Sequence, residues 1–133
     1  MGTLELDLPD AEDQLFELEQ YPLLDIAKGI EGAGSETTLY ELLELIINDI
    51  PETKKDIQKA YASGDWRSIE ALAHKAKDGA IYVGTMRMKY ACQYLERYYK
   101  TGHSDLLEKL YQQLLRVLDD TQKHLESWLL QRE

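Results

Sequence analysis

The sequence predicts an all-α fold: an antiparallel up-down four-helix bundle with an extra short N-terminal helix. Three observations predict it. Apolar residues recur at three- and four-residue spacing along four long stretches, the signature of one buried helical face. The stretches are joined by loops of about two to five residues rich in glycine and capping side chains, so neighbouring helices must run antiparallel. No stretch shows the period-two alternation of a half-buried strand, and there is no internal repeat or low-complexity tract.

The first long helix opens at Gly34-Ser35-Glu36, where Ser35 offers a cap and Glu36 an acid in the first turn. Leu39, Leu42, Leu43, Ile46, Ile50, Ile57 and Tyr61 keep its apolar stripe. Pro51 lacks an N–H and its ring crowds the carbonyl of Ile47, so a bend is expected there. Ser63-Gly64-Asp65 stops this helix and caps the next, which runs from Asp65 to about Val83. Gly84-Thr85 makes the second break. Met88, Ala91, Cys92, Leu95, Tyr98 and Tyr99 mark the third apolar face, and Thr101-Gly102-His103-Ser104-Asp105 closes that helix. Leu107, Leu110, Leu114, Val117, Leu118, Thr121, Leu125 and Trp128 run the length of the last, which ends near Leu130. A short helix around Asp25 to Ile30 is expected to cap the bundle. Residues 1–20 read as an acidic N-terminal tail or artificial boundary, and 21–133 as the bundle domain.

The chain has 133 residues, 44% hydrophobic and 30% charged, which suits one globular domain. No apolar run approaches the roughly 18 residues of a membrane span, and the acidic start lacks the pattern of a secretory signal, so a cytoplasmic location is expected. A net charge of -10 argues against nucleic acid as a partner, because phosphate binding needs a basic surface. The charge is uneven, however. Lys54 to Lys100 holds ten Lys/Arg against five Asp/Glu, a basic middle in an acidic chain. This distribution fits a partner bearing a small anionic group or an acidic cleft, and it fits equally well the solvated faces of charged helices.

Within that basic middle, Ala73-His74-Lys75-Ala76-Lys77-Asp78-Gly79-Ala80 places a histidine among small residues. At 100° per residue, Arg67, Glu70, Ala71, Lys77, Asp78 and Ile81 share its side of the helix, while Trp66, Ile69, Ala73, Ala76 and Ala80 fall on opposite or flanking sides. His74 is therefore expected at the water-facing surface. Neutral imidazole is a good nucleophile near neutral pH, and an exposed ring nitrogen can be approached in line. A solvent-exposed histidine without chemistry is the bland alternative.

These residues carry a family resemblance. Leu72 to Ala80, with Gly84, Cys92 and Leu95-Glu96 after it, resembles the signature of histidine phosphotransfer (HPt) domains, the carriers of two-component phosphorelays. Leu23-Leu24-Asp25, Glu41-Leu42-Leu43 and the Ala60 to Asp65 turn look like the family's preceding helices, so the likeness extends over about Leu23 to Leu118. The resemblance implies that His74 takes a phosphoryl group from the aspartyl phosphate of a response-regulator receiver domain and passes it to another receiver. Lys77 matches the family's lysine beside the phosphohistidine, as charge partner of the phosphate. Arg67, Glu70, Ala71, Asp78, Gly79, Ile81 and Gly84 would form the receiver-docking face. The receiver would supply Mg2+, so no cofactor or metal site is expected in this chain, which would be a phosphocarrier rather than an enzyme. It would be free-standing or the C-terminal module of a hybrid sensor histidine kinase.

One residue departs from the family pattern. Glycine usually follows the matched lysine, whereas this chain has Asp78 there and glycine only at position 79. One turn from His74, its carboxylate would repel a phosphoryl group, unless it pairs with Lys75, Lys77 or Arg67 or turns to solvent. A helical module that binds a receiver or another protein without transfer is the alternative function. Elsewhere, Cys92 reads as a small buried hydrophobe, and His103 and His124 as surface or helix-end histidines. Tyr82, Tyr90, Tyr94, Tyr98 and Tyr99 read as amphipathic packing. No Glu-x-x-His suggests a di-iron bundle, and no glycine loop suggests a nucleotide site.

Overall fold

A computed structural model describes residues 8, 9 and 11–132. Among the described residues five α-helices follow one another: α1 (Ile26–Ala33), α2 (Glu36–Ala62), α3 (Trp66–Val83), α4 (Met86–Lys100) and α5 (Leu107–Arg132). There is no strand among the described residues. The polar sequence between the apolar stretches does what its side chains suggest. Ser35 accepts a hydrogen bond from the Thr38 N–H at 3.1 Å to open α2, and Asp65 accepts one from the Ser68 N–H at 3.1 Å to open α3. Asp25 does the same for α1 through the Lys28 N–H at 3.1 Å. Gly34 and Gly84, both left-handed, end α1 and α3.

The long helices close into a ring, α2 on α3, α3 on α4, α4 on α5 and α5 back on α2. Their stripes meet along one core: Leu39, Leu43, Ile50 and Ile57 of α2, Ile69, Ala73 and Ala80 of α3, Ala91, Cys92 and Leu95 of α4, and Leu110, Leu114, Leu118 and Leu125 of α5. Each large aliphatic side chain buried there contributes about 1.5–3 kcal/mol. α2 runs through Pro51 as one helix, with the proline ring at the exposed face and the Ile47 carbonyl left without its N–H partner.

Two features differ from the sequence expectation. The segment read as a tail through residue 20 is packed from Glu12 onward: short 3-10 helices at Glu12–Phe16 and Leu18–Gln20 bury Leu15 and Leu18. The buried Gln113 amide donates to the Leu15 carbonyl at 2.9 Å, Arg87 Nε donates to the Tyr21 carbonyl at 2.9 Å, and the Tyr21 ring stacks on Tyr90 at 3.9 Å. Leu15 and Leu18, with Phe16 and Tyr21 packed beside them, anchor it, a signal masked by the segment's overall charge. Residues 1–7 and 10 of that tail lie outside the described residues. The second difference concerns Gly84, expected on the docking face. It is buried beneath α1, where an added Cβ would lie 2.3 Å from the Asp25 carbonyl oxygen. A Cβ added at Gly29 or Gly32 of α1 would lie 2.6 Å from the Val83 or Tyr82 carbonyl oxygen, so glycines let α1 sit directly on the C-terminal end of α3.

Candidate functional site

α3 buries Ile69, Ala73 and Ala80 against the bundle and turns His74 outward, its side chain 48% exposed. Ala71, Arg67, Asp78 and Ile81 are exposed on the same helix, as the helical turn predicts, and Glu70 is half-buried. Gly79 lies over α2, where an added Cβ would meet the Ile46 side chain at 3.6 Å, an ordinary contact.

The centre of the site is a side chain to which sequence reasoning assigned no role. Glu96 of α4 is fully buried and places one carboxylate oxygen, Oε2, 2.6 Å from His74 Nδ1 and the other, Oε1, 2.7 Å from Lys77 Nζ. Lys100, one turn along α4, brings Nζ to 3.3 Å from Glu96 Oε2 and 3.5 Å from Glu70 Oε2. Burial pushes the Glu96 carboxyl toward the protonated form, but hydrogen bonds from Lys77, His74 and Lys100 outweigh it and hold its pKa below the ordinary value. The carboxylate is therefore ionised and can only accept.

This fixes the tautomer of the histidine. Facing an ionised carboxylate, Nδ1 must carry the hydrogen and donate it, which leaves the lone pair of the neutral ring on Nε2, at the solvent side. In the neutral ring, Nε2 is the nitrogen able to accept a bond from outside.

Lys77 is placed differently from the expectation. Three residues on from His74 it is rotated about 60° toward α4, and its side chain is almost wholly buried with its ammonium against Glu96. Its charge is committed to keeping Glu96 ionised. Asp78 takes none of the three cations as partner: its side chain is 59% exposed to solvent and also approaches His74 itself, with Oδ2 3.6 Å from Nε2. His74 thus stands between a buried carboxylate at Nδ1 and an exposed one near Nε2.

Glu96 did leave a signal. One turn after Cys92 and one before Tyr99, it falls inside the apolar stripe of α4, and a charge there must find a buried partner. The other singled-out residues are structural. His103 stacks on Tyr98 at 4.9 Å and its Nδ1 lies 2.7 Å from the Thr101 hydroxyl. Cys92 is buried, and desolvation pushes its thiol pKa up to about 12. His124 is exposed on α5. Among the described residues no group of His, Cys, Asp and Glu is placed to hold a metal ion, and no helix is long and apolar enough to cross a membrane.

Known proteins share the sequence pattern and the fold. The family model described as "Hpt domain" matches residues 41–124. Signal transduction histidine-protein kinase BarA of Shigella flexneri is 27% identical over 90 residues, and BarA of Escherichia coli K12 is 26% identical over 90. Each match covers 68% of this chain but only 10% of the kinase, so the chain corresponds to a small part of those proteins. The crystal structure of the HPT domain from a Shewanella sensor hybrid histidine kinase superposes with a TM-score of 0.74 at 24% identity, covering 82% of this chain and 95% of that one. At that identity the superposition establishes the fold.

Proposed function

Because the chain belongs to the Hpt domain family, we propose that it carries a phosphoryl group on Nε2 of His74, accepting it from the aspartyl phosphate of one receiver domain and passing it to another. The observation that carries this reading is the 2.6 Å contact between Glu96 and His74 Nδ1, which aims the ring's lone pair at solvent. In the transfer, the Nε2 lone pair forms the N–P bond as the P–O bond to the receiver's aspartate breaks, and the carboxylate leaves with that bonding pair. The ring becomes cationic. Its remaining proton stays on Nδ1, shared with Glu96, whose negative charge faces the positive charge as it develops. A charge-assisted hydrogen bond of this kind contributes about 1.5–3 kcal/mol.

Phosphoryl transfer asks mainly for positioning and charge neutralisation. In this reading the receiver brings the divalent metal and the phosphorylated aspartate, in the cytoplasm, and this chain brings a presented nucleophile. The low relief around it, Ala71 and Gly79 beside exposed Ile81 with Arg67 and Glu70 at the rim, is the proposed docking face. The carrier belongs either to a free-standing protein or to a module of a hybrid sensor kinase.

One observation favours the second reading, a docking module without transfer: Asp78 stands 3.6 Å from the nucleophilic nitrogen. The test is to incubate the protein with phosphorylated receiver domains and follow labelled phosphate. Acid-labile, base-stable label on the wild type and none on His74→Gln supports the carrier. Tight receiver binding without label, or undiminished label on the glutamine variant, overturns it.

A further inference from the structure

We propose that Asp78 raises the phosphoryl-transfer potential of His74, shifting the equilibrium with a receiver domain away from phospho-His74 and toward the phosphorylated receiver. The proposal rests on reading His74 as the phosphoacceptor. Asp78 Oδ2 lies 3.6 Å from Nε2, close enough to form an ion pair with His74 when the ring is protonated. The interaction changes sign with the state of the ring. When His74 is protonated, Nε2–H and the carboxylate attract. When Nε2 carries a phosphoryl group, a dianion occupies the space beside the same carboxylate, and the two repel.

The groups around the ring do not offset this repulsion. From α3, Lys77 is buried with its ammonium 2.7 Å from Glu96 Oε1. From α4, Lys100 lies on the Nδ1 side, against Glu96 Oε2 and Glu70. Lys75, the adjacent residue, is exposed and lies 100° around the helix. The nearest charge to Nε2 is therefore negative. Two unit charges about 4 Å apart in water interact by an amount worth about fivefold in an equilibrium constant, and the phosphoryl dianion on a cationic ring adds one net negative charge. The side chain is open to solvent, so the effect belongs to the screened regime and must weaken with salt.

The experiment is the equilibrium between the wild-type protein, or Asp78→Asn, and a receiver domain selected because its phosphorylated form labels the wild type. The asparagine keeps the shape and removes the charge. Expected is an about fivefold gain in phospho-His74 at equilibrium for Asp78→Asn at low ionic strength. The ratio of the two equilibrium constants should close toward one at about 1 M salt, where the screening length falls to about 3 Å. Equal constants at low salt overturn the proposal, as does a difference that salt leaves unchanged, which would mark a steric effect. His74→Gln separates the two levels: undiminished label on that variant defeats the carrier reading and this proposal with it. Label confined to His74 with identical Asp78→Asn equilibria defeats only this proposal.

Discussion

Replacing Glu96 by glutamine should separate the chemistry of the site from its fold. The native carboxylate is fully buried and bonded at 2.6 Å to His74 Nδ1 and 2.7 Å to Lys77 Nζ. Glutamine keeps the shape but has one accepting oxygen and one donating amide. The oxygen goes to Lys77, which has only hydrogens to offer, so the amide faces His74 and donates to Nδ1. That inverts the tautomer: the proton moves to Nε2 and the lone pair turns inward. Losing the charge-assisted bond removes about 1.5–3 kcal/mol of preference for the competent ring, or roughly 10- to 150-fold in single-turnover transfer rate. Stability also falls, because a buried ammonium loses its counter-charge, by about 3–5 kcal/mol, against a typical total of 5–15. The assay therefore pairs transfer kinetics with urea unfolding and with ring 15N shifts, which read the tautomer directly. Glu96→Asp should recover part of the rate by keeping the charge. A folded Glu96→Gln variant that transfers at the wild-type rate, with Nδ1 still protonated, would refute the tautomer argument.

The remaining predictions concern the fold around the site. Lys77→Met and Glu96→Leu should each cost about 3–5 kcal/mol in urea unfolding, while the double variant should cost much less than their sum, because it leaves no unpaired buried charge; additive losses would mean the two groups are not coupled. Glu96 has a pKa lowered on folding, so its stabilisation is complete above the ordinary glutamate value of about 4.3 and is lost as pH falls through the native value. Acid unfolding of the wild type should accordingly show a pH-dependent loss below that value, which the Lys77→Met, Glu96→Leu pair lacks. Gly84→Ala should destabilise far more than Gly34→Ala. Both have positive φ, worth about 1–2 kcal/mol for an added Cβ, but only at Gly84 does that carbon strike a carbonyl, whereas Gly34 opens into space. Native Cys92 should resist a thiol reagent at pH 8 and react at once in urea, since burial holds the thiol protonated up to about 12.

The fold was legible because its determinants are local. Ser35, Asp65 and Asp25 each satisfy an N–H three residues on, and the glycines that end α1 and α3 act within one turn, so these boundaries are written in a few adjacent letters. The stripes of α2 to α5 then leave one way to bury four apolar faces. What escaped is what depends on distant pieces of chain. Leu15 and Leu18 look like isolated apolar residues until α5 supplies Gln113 from 98 positions away to hold the Leu15 carbonyl. Gly84 looks like a small surface residue until α1 comes down on it.

The site shows the same division, with a physical reason for the part that was missed. Helical periodicity displays His74 and Asp78 together, because both lie on one helix and their relation is fixed by the turn. It also puts Lys77 within reach of His74, yet the destination of a lysine depends on what lies across the groove. Glu96, 19 residues further along on α4, supplies a buried carboxylate, and desolvating it without a cation would cost several kcal/mol. That demand outweighs the weak, solvent-screened attraction Lys77 would have for a phosphate at the surface. The same comparison of buried against exposed decides between the two carboxylates at the ring. Glu96, at 2.6 Å and shielded from water, sets which nitrogen holds the proton; Asp78, at 3.6 Å and mostly exposed, cannot reverse that choice and acts only on the charge that arrives at the other nitrogen.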